Sequence, residues 1–253
     1  MQNYQDELTI ESLKQIADDV YEMVLSGEGC KFISAPGQFI NMKVNGESLQ
    51  PYLRRPMSIS DYDENSLTTV FKVVGEGTKL LKHKAVKSKI DCLIGLGNGF
   101  SLPKIKKAIL IGGGLGTPPL YNLGKQLVKQ GVEVTTVLGF ASKKDVFYEE
   151  KFKTLGPVYI ATNDGSYGVQ GNVIDVIKEN QLTFDKYFTC GPERMLDALA
   201  LAYPTNGELS FEARMGCGFG ACMGCSCKVK TAPYKRICVE GPILQVEEVI
   251  VNG

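Results

Sequence analysis

Five of the eight cysteines fall between positions 217 and 238. Cys217, Cys222 and Cys225 follow a C-x4-C-x2-C spacing, and Cys238 adds a later fourth thiol. That is the plant-type spacing for a 2Fe–2S cluster. Three sulfurs from one short loop must reach one small cluster, so the backbone has to wrap tightly. Gly216, Gly218, Gly220 and Gly224 are expected to allow the unusual φ values of such a wrap and to let N–H groups approach the sulfides. Two other chemistries use cysteines. Structural zinc sites usually present two separated short-spaced pairs, whereas this stretch is three plus one, although Cys222, Cys225 and Cys227 are close enough to contribute. A disulfide framework suits small secreted chains, not 253 residues opening on the polar Met-Gln-Asn-Tyr-Gln-Asp-Glu. The iron–sulfur reading matches best. Cys227 as a ligand would break the spacing, so it is expected to be a packed neighbour.

No other reactive constellation stands out. The single histidine, His83, lies in the basic run Lys82-His83-Lys84 and reads as a solvated surface residue. A Ser-His-Asp triad or a multi-histidine metal site has only that residue to build on, so the chemistry is expected to come from cofactors. Formal net charge is zero, which gives no argument for nucleic acid or an anionic membrane as partner. No apolar run approaches the length that spans a bilayer. The expected location is the cytoplasm, where thiols stay reduced.

These residues need a scaffold, and the sequence offers two kinds. Up to about residue 101 the pattern is β. Positions 20–25 alternate as a strand does. Residues 39–44 follow a Pro36-Gly37 turn, and residues 66–74 are rich in β-branched types. A sandwich or small barrel is expected. Arg55-Pro56-Met57-Ser58 puts a guanidinium and a hydroxyl at the start of an extended segment, and arginine pairs bidentately with phosphate. Gly75-Glu76-Gly77-Thr78 precedes a short helix from Lys79, a turn that could offer backbone donors to a phosphate. Each motif alone is equally compatible with a plain turn and a surface arginine.

From about 102 to 207 the pattern is α/β. Residues 107–111 form a buried-type strand. It runs into Gly112-Gly113-Gly114-Leu115-Gly116-Thr117, then Pro118, Pro119 and a helix expected through Gln130. Strand, glycine turn and helix make a phosphate cradle. Residues 132–138 are the next strand, with no acidic residue at its end to hold a ribose 2′-OH, so NAD and NADP both stay open. Asn172 is expected to cap a helix. Residues 186–190 form a last strand ending in Cys190-Gly191-Pro192. Cys190 stands where open parallel sheets bind ligands, and a buried structural thiol fits it equally well.

The order of these parts resembles the ferredoxin-NADP reductase superfamily. The cysteine stretch narrows the likeness, with Leu96-Gly-Asn-Gly-Phe100, Leu138-Gly-Phe, Asp145-Val-Phe-Tyr-Glu-Glu150, Asp164-Gly-Ser-Tyr-Gly168 and Glu212-Ala-Arg-Met-Gly-Cys217. Together they look like the electron-transfer subunits of class 1B dihydroorotate dehydrogenases, over nearly the whole chain. The resemblance implies three domains: an antiparallel FAD-binding barrel over 1–101, a parallel-sheet NAD-binding domain over 102–207 and a small 2Fe–2S domain over 208–253.

It also implies roles. Arg55 would lie on the FAD pyrophosphate, Ser58 near the flavin, with Pro56 and Met57 beside them. Phe71, Lys72 and Val73 would run along the flavin or its ribityl chain, and Gly77 and Thr78 would hold the pyrophosphate. Gly112, Gly113, Gly114, Gly116 and Thr117 would face the NAD phosphates, with Cys190 and Gly191 near the nicotinamide. Cys217, Cys222, Cys225 and Cys238 would carry the cluster. The implied partner is an FMN-containing catalytic subunit, two of each chain in a heterotetramer, with no nucleic acid and no membrane. Electrons would pass from that FMN through the cluster and FAD to NAD in pyrimidine biosynthesis. No carbon-acid site is expected on this chain. Two rivals remain: a flavin and iron–sulfur subunit of a hydrogenase, sulfide dehydrogenase or ferredoxin-linked transhydrogenase, and a non-catalytic redox-sensing or zinc-stabilised nucleotide-binding module.

Overall fold

The computed structural model describes residues 4–45 and 50–251, so the outermost ends of the expected first and last domains lie outside it. The chain divides into two compact units. One gathers Met1–Gly99 with Glu212–Cys227 and Tyr234–Pro242, and the other gathers Phe100–Phe211 with Lys228–Pro233 and Ile243–Gly253.

The first unit is built on a closed six-stranded barrel. Its strands are β1 (Tyr4–Ala17), β2 (Val20–Ser26), β3 (Phe39–Met42), β4 (Arg55–Tyr62), β5 (Ser66–Lys72) and β6 (Lys89–Leu96), in the order β1-β2-β5-β4-β3-β6. Every pairing is antiparallel. Period-two alternation turns Met23 and Leu25 of β2, and Leu67 and Phe71 of β5, into one core with Leu8, Ile10, Ile40, Met42, Ile90 and Ile94, as strands require. Closure leaves no unpaired edge. Cys30 and Cys92 are part of this core. Burial pushes the Cys30 thiol up to about 11 and raises Cys92 still further, so neither is a ready thiolate. The first helix, α1 (Glu76–Lys82), follows β5. It starts earlier than the expected Lys79, so Gly77 and Thr78 lie in its first turn. His83 ends it, exposed.

The second unit is a seven-stranded sheet. In chain order its first six strands are β7 (Lys107–Gly113), β8 (Glu133–Phe140), β9 (Val158–Thr162), β10 (Val169–Gln170), β11 (Lys186–Cys190) and β12 (Gly207–Ser210). They are mutually parallel in the order β10-β9-β8-β7-β11-β12. The helices α2 (Tyr121–Lys129), α3 (Glu149–Lys153), α4 (Val173–Glu179) and α5 (Glu193–Ala202) connect them. β7, β11 and β12 are almost continuously buried, as strands covered on both faces must be. The expected helix after the glycine turn begins as short 3-10 turns, one opened by Pro118 and Pro119, and becomes α-helical at Tyr121. Asn172 caps α4 as expected, its Oδ1 accepting from the N–H groups of Ile174 at 2.8 Å and Asp175 at 3.3 Å.

Later residues are shared between the units. β13 (Ser226–Cys227) and β14 (Lys235–Arg236) form a small hairpin in the barrel unit, and β15 (Ile243–Gln245) closes the sheet antiparallel to β12. Glu208 on β12 is buried, paired with Lys186 of β11 at 2.7 Å and accepting from the Ser101 N–H at 2.8 Å. Burial opposes its ionisation, but these contacts prevail and hold its carboxyl below the usual range.

Candidate functional site

The cysteine loop runs from residue 211 to 225 without regular secondary structure. Gly218 and Gly220 have φ of +79° and +91°, a region that strains other residues. Gly216 and Gly224 do not share it. There a side chain would instead come into ordinary contact with the Cys222 sulfur, at 3.4 and 3.6 Å. The expectation that all four glycines supply unusual φ therefore holds for two.

The four predicted thiols come together as two pairs. Cys217 contacts the Cys222 thiol and accepts from the Cys222 N–H at 3.4 Å. Cys238 contacts the thiol of Cys225. Burial alone would raise Cys217, but the N–H groups of Cys222, Phe219 and Ala221 outweigh it and hold the thiol at about 6. Burial, then the Cys225 contact, pushes Cys238 up to about 12. Among the described residues, no three His, Cys, Asp or Glu gather as a single-ion site. Two thiol pairs suit two irons better than one tetrahedral zinc, which needs four donors around one point. The donor set therefore fits a 2Fe–2S cluster. Cys227 lies on β13, half-buried, with its thiol raised by burial.

The Cys238 segment is fastened from both sides. Arg236 donates to the Gly220 carbonyl at 2.7 Å and pairs with Glu240. Asn98 donates its backbone N–H to the Gly241 carbonyl at 2.6 Å and its side-chain amide to the Glu240 carbonyl at 3.1 Å. Neither Arg236 nor Asn98 was singled out from sequence chemistry. Asn98 entered only within the Leu96–Phe100 motif.

The same unit holds a second cluster of predicted residues. The Arg55 guanidinium lies against Gly77, where a Cβ would sit 2.3 Å from its Nε. Two motifs twenty-two positions apart thus meet at one point. Among the described residues no carboxylate pairs with Arg55, whereas its neighbour Arg54 is paired with Asp91 at 2.7 Å. The first-turn N–H groups of a helix have no intrahelical acceptor, and the guanidinium beside them donates from one nitrogen to the Leu53 and Arg54 carbonyls and lies with its Nε against Gly77. That donor set fits a diphosphate. Pro56, Met57 and Ser58 continue β4 opposite Asn41, Ile40 and Phe39.

Two expectations change here. The Phe71 ring is in the barrel core, stacked on Tyr21 at 5.8 Å, so only its backbone could meet a ligand, while Lys72 and Val73 are half-buried. The Thr78 hydroxyl is consumed by the loop, accepting from the N–H of Val74 at 2.9 Å and of Gly75 at 3.2 Å and donating to the Gly75 carbonyl. Thr78 can offer a phosphate its N–H, not its hydroxyl. If Arg55 holds the diphosphate of FAD, as the sequence resemblance implies, Arg55→Ala removes one charge-assisted contact and should weaken FAD binding by about 1.5–3 kcal/mol. FAD retention through gel filtration equal to that of wild type would count against the placement.

In the sheet unit, the connections from β7 lead towards β8 on one side and, after β10, to β11 on the other. Sheet order thus reverses between β7 and β11, and ligands of open α/β sheets bind outside the strand ends at such a point. Gly112, Gly113 and the Gly114–Gly116 turn leave β7 there, and Cys190 and Gly191 leave β11. A Cβ on Gly116 would lie 2.2 Å from the Cys190 carbonyl oxygen, and one on Gly191 would lie 3.1 Å from the Gly113 Cα. Gly114 has φ +51° and faces open space. Thr117 is buried, and its hydroxyl has no hydrogen-bond partner among the described residues. An open glycine turn beside an unspent hydroxyl fits the phosphates of a dinucleotide. Cys190 is buried.

Residues 212–250 match the family model described as the iron-sulfur cluster binding domain of dihydroorotate dehydrogenase B. Two curated proteins named dihydroorotate dehydrogenase B (NAD(+)), electron transfer subunit, align over nearly their full length. The one from Bacillus pumilus is 47% identical, covering 97% of this chain and 98% of its own. The one from Fusobacterium nucleatum is 45% identical, covering 98% and 99%. Among solved structures, a chain of an NADH-dependent reduced ferredoxin-NADP oxidoreductase, studied for flavin-based electron bifurcation, superposes with a TM-score of 0.87. It is 28% identical and covers 96% of this chain and 90% of that one. An Amycolatopsis cytochrome P450 reductase shares the fold, at a TM-score of 0.68 and 19% identity, over 80% and 66% of the two chains.

Proposed function

Because this chain belongs to the family of electron-transfer subunits of dihydroorotate dehydrogenase B, we propose that it carries electrons from a partner's FMN through a 2Fe–2S cluster and FAD to NAD+. Bound FAD would exchange electrons singly with the cluster and as a pair with the nicotinamide. The protein's share is binding and orientation. Cys217 with Cys222, and Cys225 with Cys238, would hold one iron each. Arg55 and the N–H groups of Gly77 and Thr78 would hold the FAD diphosphate, with Pro56, Met57, Ser58 and the backbone of residues 71–73 along the remainder. Gly112, Gly113, Gly114, Gly116 and Thr117 would receive the NAD phosphates, with Cys190 and Gly191 at the nicotinamide end.

The observation that carries this reading is the gathering of both thiol pairs and the Arg55–Gly77 cradle in one compact unit. Electron exchange needs the two centres close, and a zinc-stabilised module would not. A transhydrogenase-like role draws support from the 0.87 superposition, but the identity is far higher to the dihydroorotate group. We take the assembly to be a cytoplasmic heterotetramer, two of each chain. Among the described residues no helix is long and apolar enough to cross a membrane.

The chain alone should oxidise NADH with an artificial acceptor and leave dihydroorotate untouched. Mixed with an FMN-containing dihydroorotate dehydrogenase subunit from the same source, it should support NAD-dependent orotate formation. Phe219 and Met223 are exposed on the cysteine loop and would suit the partner contact. Phe219→Glu should therefore abolish orotate formation in the mixture and spare the artificial-acceptor activity. Orotate from the isolated chain, or none from the mixture, would refute the assignment.

A further inference from the structure

Asn41 joins the barrel to the cysteine loop. It is on β3, fully buried, and its side-chain Nδ2 donates to the Cys217 carbonyl at 3.1 Å. Its register partner on β4 is Pro56, within the segment that carries Arg55. The approach is close enough to exclude a side chain on the next loop residue: a Cβ on Gly218 would sit 2.3 Å from the Asn41 Nδ2. The other half of the carboxamide is unsatisfied, because Oδ1 is buried with no hydrogen-bond partner among the described residues.

That orphan oxygen is informative. A buried acceptor without a donor destabilises a fold, and a leucine of similar size would avoid the loss. The amide orientation is not free to relieve it, since a carbonyl oxygen at 3.1 Å can only accept, so the N–H end must face Cys217. What an asparagine supplies here and a leucine cannot is one donor aimed at the backbone of a thiol ligand. The consequence follows from peptide geometry. A trans peptide is planar with its C=O and N–H on opposite sides. Holding the Cys217 carbonyl against β3 therefore turns the Gly218 N–H away from β3. It also fixes the start of the turn in which the N–H groups of Phe219, Ala221 and Cys222 converge on the Cys217 sulfur.

We propose that Asn41 is a positioning residue for the cluster: its carboxamide pins the Cys217–Gly218 peptide to the barrel and thereby sets the donor geometry, and so the reduction potential, at the Cys217–Cys222 side. The iron part of this rests on the cluster reading above. The donor's positive end also faces the loop, favouring the more negative, reduced state. Removing it should lower the potential, and replacing it with a carboxylate should lower it further.

The test uses the full chain with FAD and iron bound. Asn41→Leu and Asn41→Asp are compared with wild type for FAD content, iron and labile sulfide, the electron paramagnetic resonance spectrum of the reduced cluster, and the midpoint potential. The expected result is retained FAD, an altered spectrum and a reduction equilibrium displaced about tenfold in Asn41→Leu, which is about 59 mV for one electron, and further in Asn41→Asp. Iron loss with FAD retained also supports the proposal, since it places the defect in the loop. Retained iron with an unchanged spectrum and potential overturns it, as does joint loss of FAD and iron, which would mark Asn41 as a barrel-core residue only. A second arm does not depend on iron. In protein prepared without the metal, amide hydrogen exchange over residues 212–227 should be about tenfold faster in Asn41→Leu, and unchanged exchange overturns the proposal. Wild type devoid of iron after anaerobic purification would refute the cluster reading and leave this second arm to decide on Asn41.

Discussion

Cys222→Ser should yield a chain that keeps FAD and has lost nearly all of its roughly two irons. It should oxidise NADH with an artificial acceptor and pass nothing to a partner. Each thiol pair would serve one iron, so an alcohol in place of a thiolate leaves that iron with half of its protein ligands. Cys217 and Cys222 sit in the loop shaped by Gly218 and Gly220, and among the described residues no neighbouring carboxylate or histidine completes a set of three there. Cys225→Ser and Cys238→Ser should behave alike, because each removes half of the other pair. Cys227→Ser should retain iron, since Cys227 belongs to the β13–β14 hairpin, opposite Lys235. Iron measured per chain beside FAD decides the matter. Loss in Cys227→Ser with retention in Cys225→Ser would reverse the assignment and favour a different ligand set.

What the sequence reveals and hides at this site has a physical pattern. The cysteine spacing is legible because the ligands come from one loop, and a loop's reach is set by residue count. The Arg55 and Gly77 motifs are legible separately, but their meeting is not. It depends on β4 and β5 being neighbours in the barrel and on α1 following directly. Period-two alternation finds β2, β3 and β5. It is faint in β1, because Tyr4–Ala17 is polar or half-buried over much of its length, whereas β6, which pairs with it to close the barrel, does alternate in burial from Lys89 to Ile94 and is open to the same reading. Aromatic residues mislead for a related reason. Phe71 sits in a stretch that resembles a flavin contact, yet strand alternation turns its ring inward with Leu67. Thr78 misleads differently, since a hydroxyl near a glycine turn can serve a ligand or the turn itself, and only the hydrogen bonds choose. Asn41 and Asn98 carry no chemical signal of these roles in one sequence, because each acts on backbone carbonyls far along the chain, and Arg236 carries none because its acceptor, the Gly220 carbonyl, lies across a loop whose course one sequence does not show.

Gly116→Ala should damage the nucleotide side alone. The added Cβ would lie 2.2 Å from the Cys190 carbonyl oxygen, 2.3 Å from its carbon and 2.5 Å from the Gly191 nitrogen. These are backbone atoms of a central strand end, held by β11 pairing with both β7 and β12, so they cannot rotate aside as a side chain would. The turn after β7 and the end of β11 must move apart, and overpacking of this kind costs about 1–3 kcal/mol. If the displaced turn is the NAD cradle, most of that strain falls on the NADH-binding geometry, and affinity should drop by roughly 5- to 150-fold. Gly114→Ala is the contrasting change. Gly114 faces open space, so nothing is pushed, and the φ of +51° costs an alanine only about 1–2 kcal/mol of local backbone energy. That open space is the one assigned to the NAD phosphates, so the added Cβ should weaken NADH by meeting the ligand rather than by moving the turn, to an extent comparable with Gly116→Ala. FAD and iron contents should match wild type in both, since the residues assigned to them belong to the other compact unit. The measurement is NADH affinity by titration of the flavin absorbance, alongside the KM of the artificial-acceptor reaction. A Gly116→Ala protein that folds, holds FAD and binds NADH as tightly as wild type would remove the glycine turn from the nucleotide site.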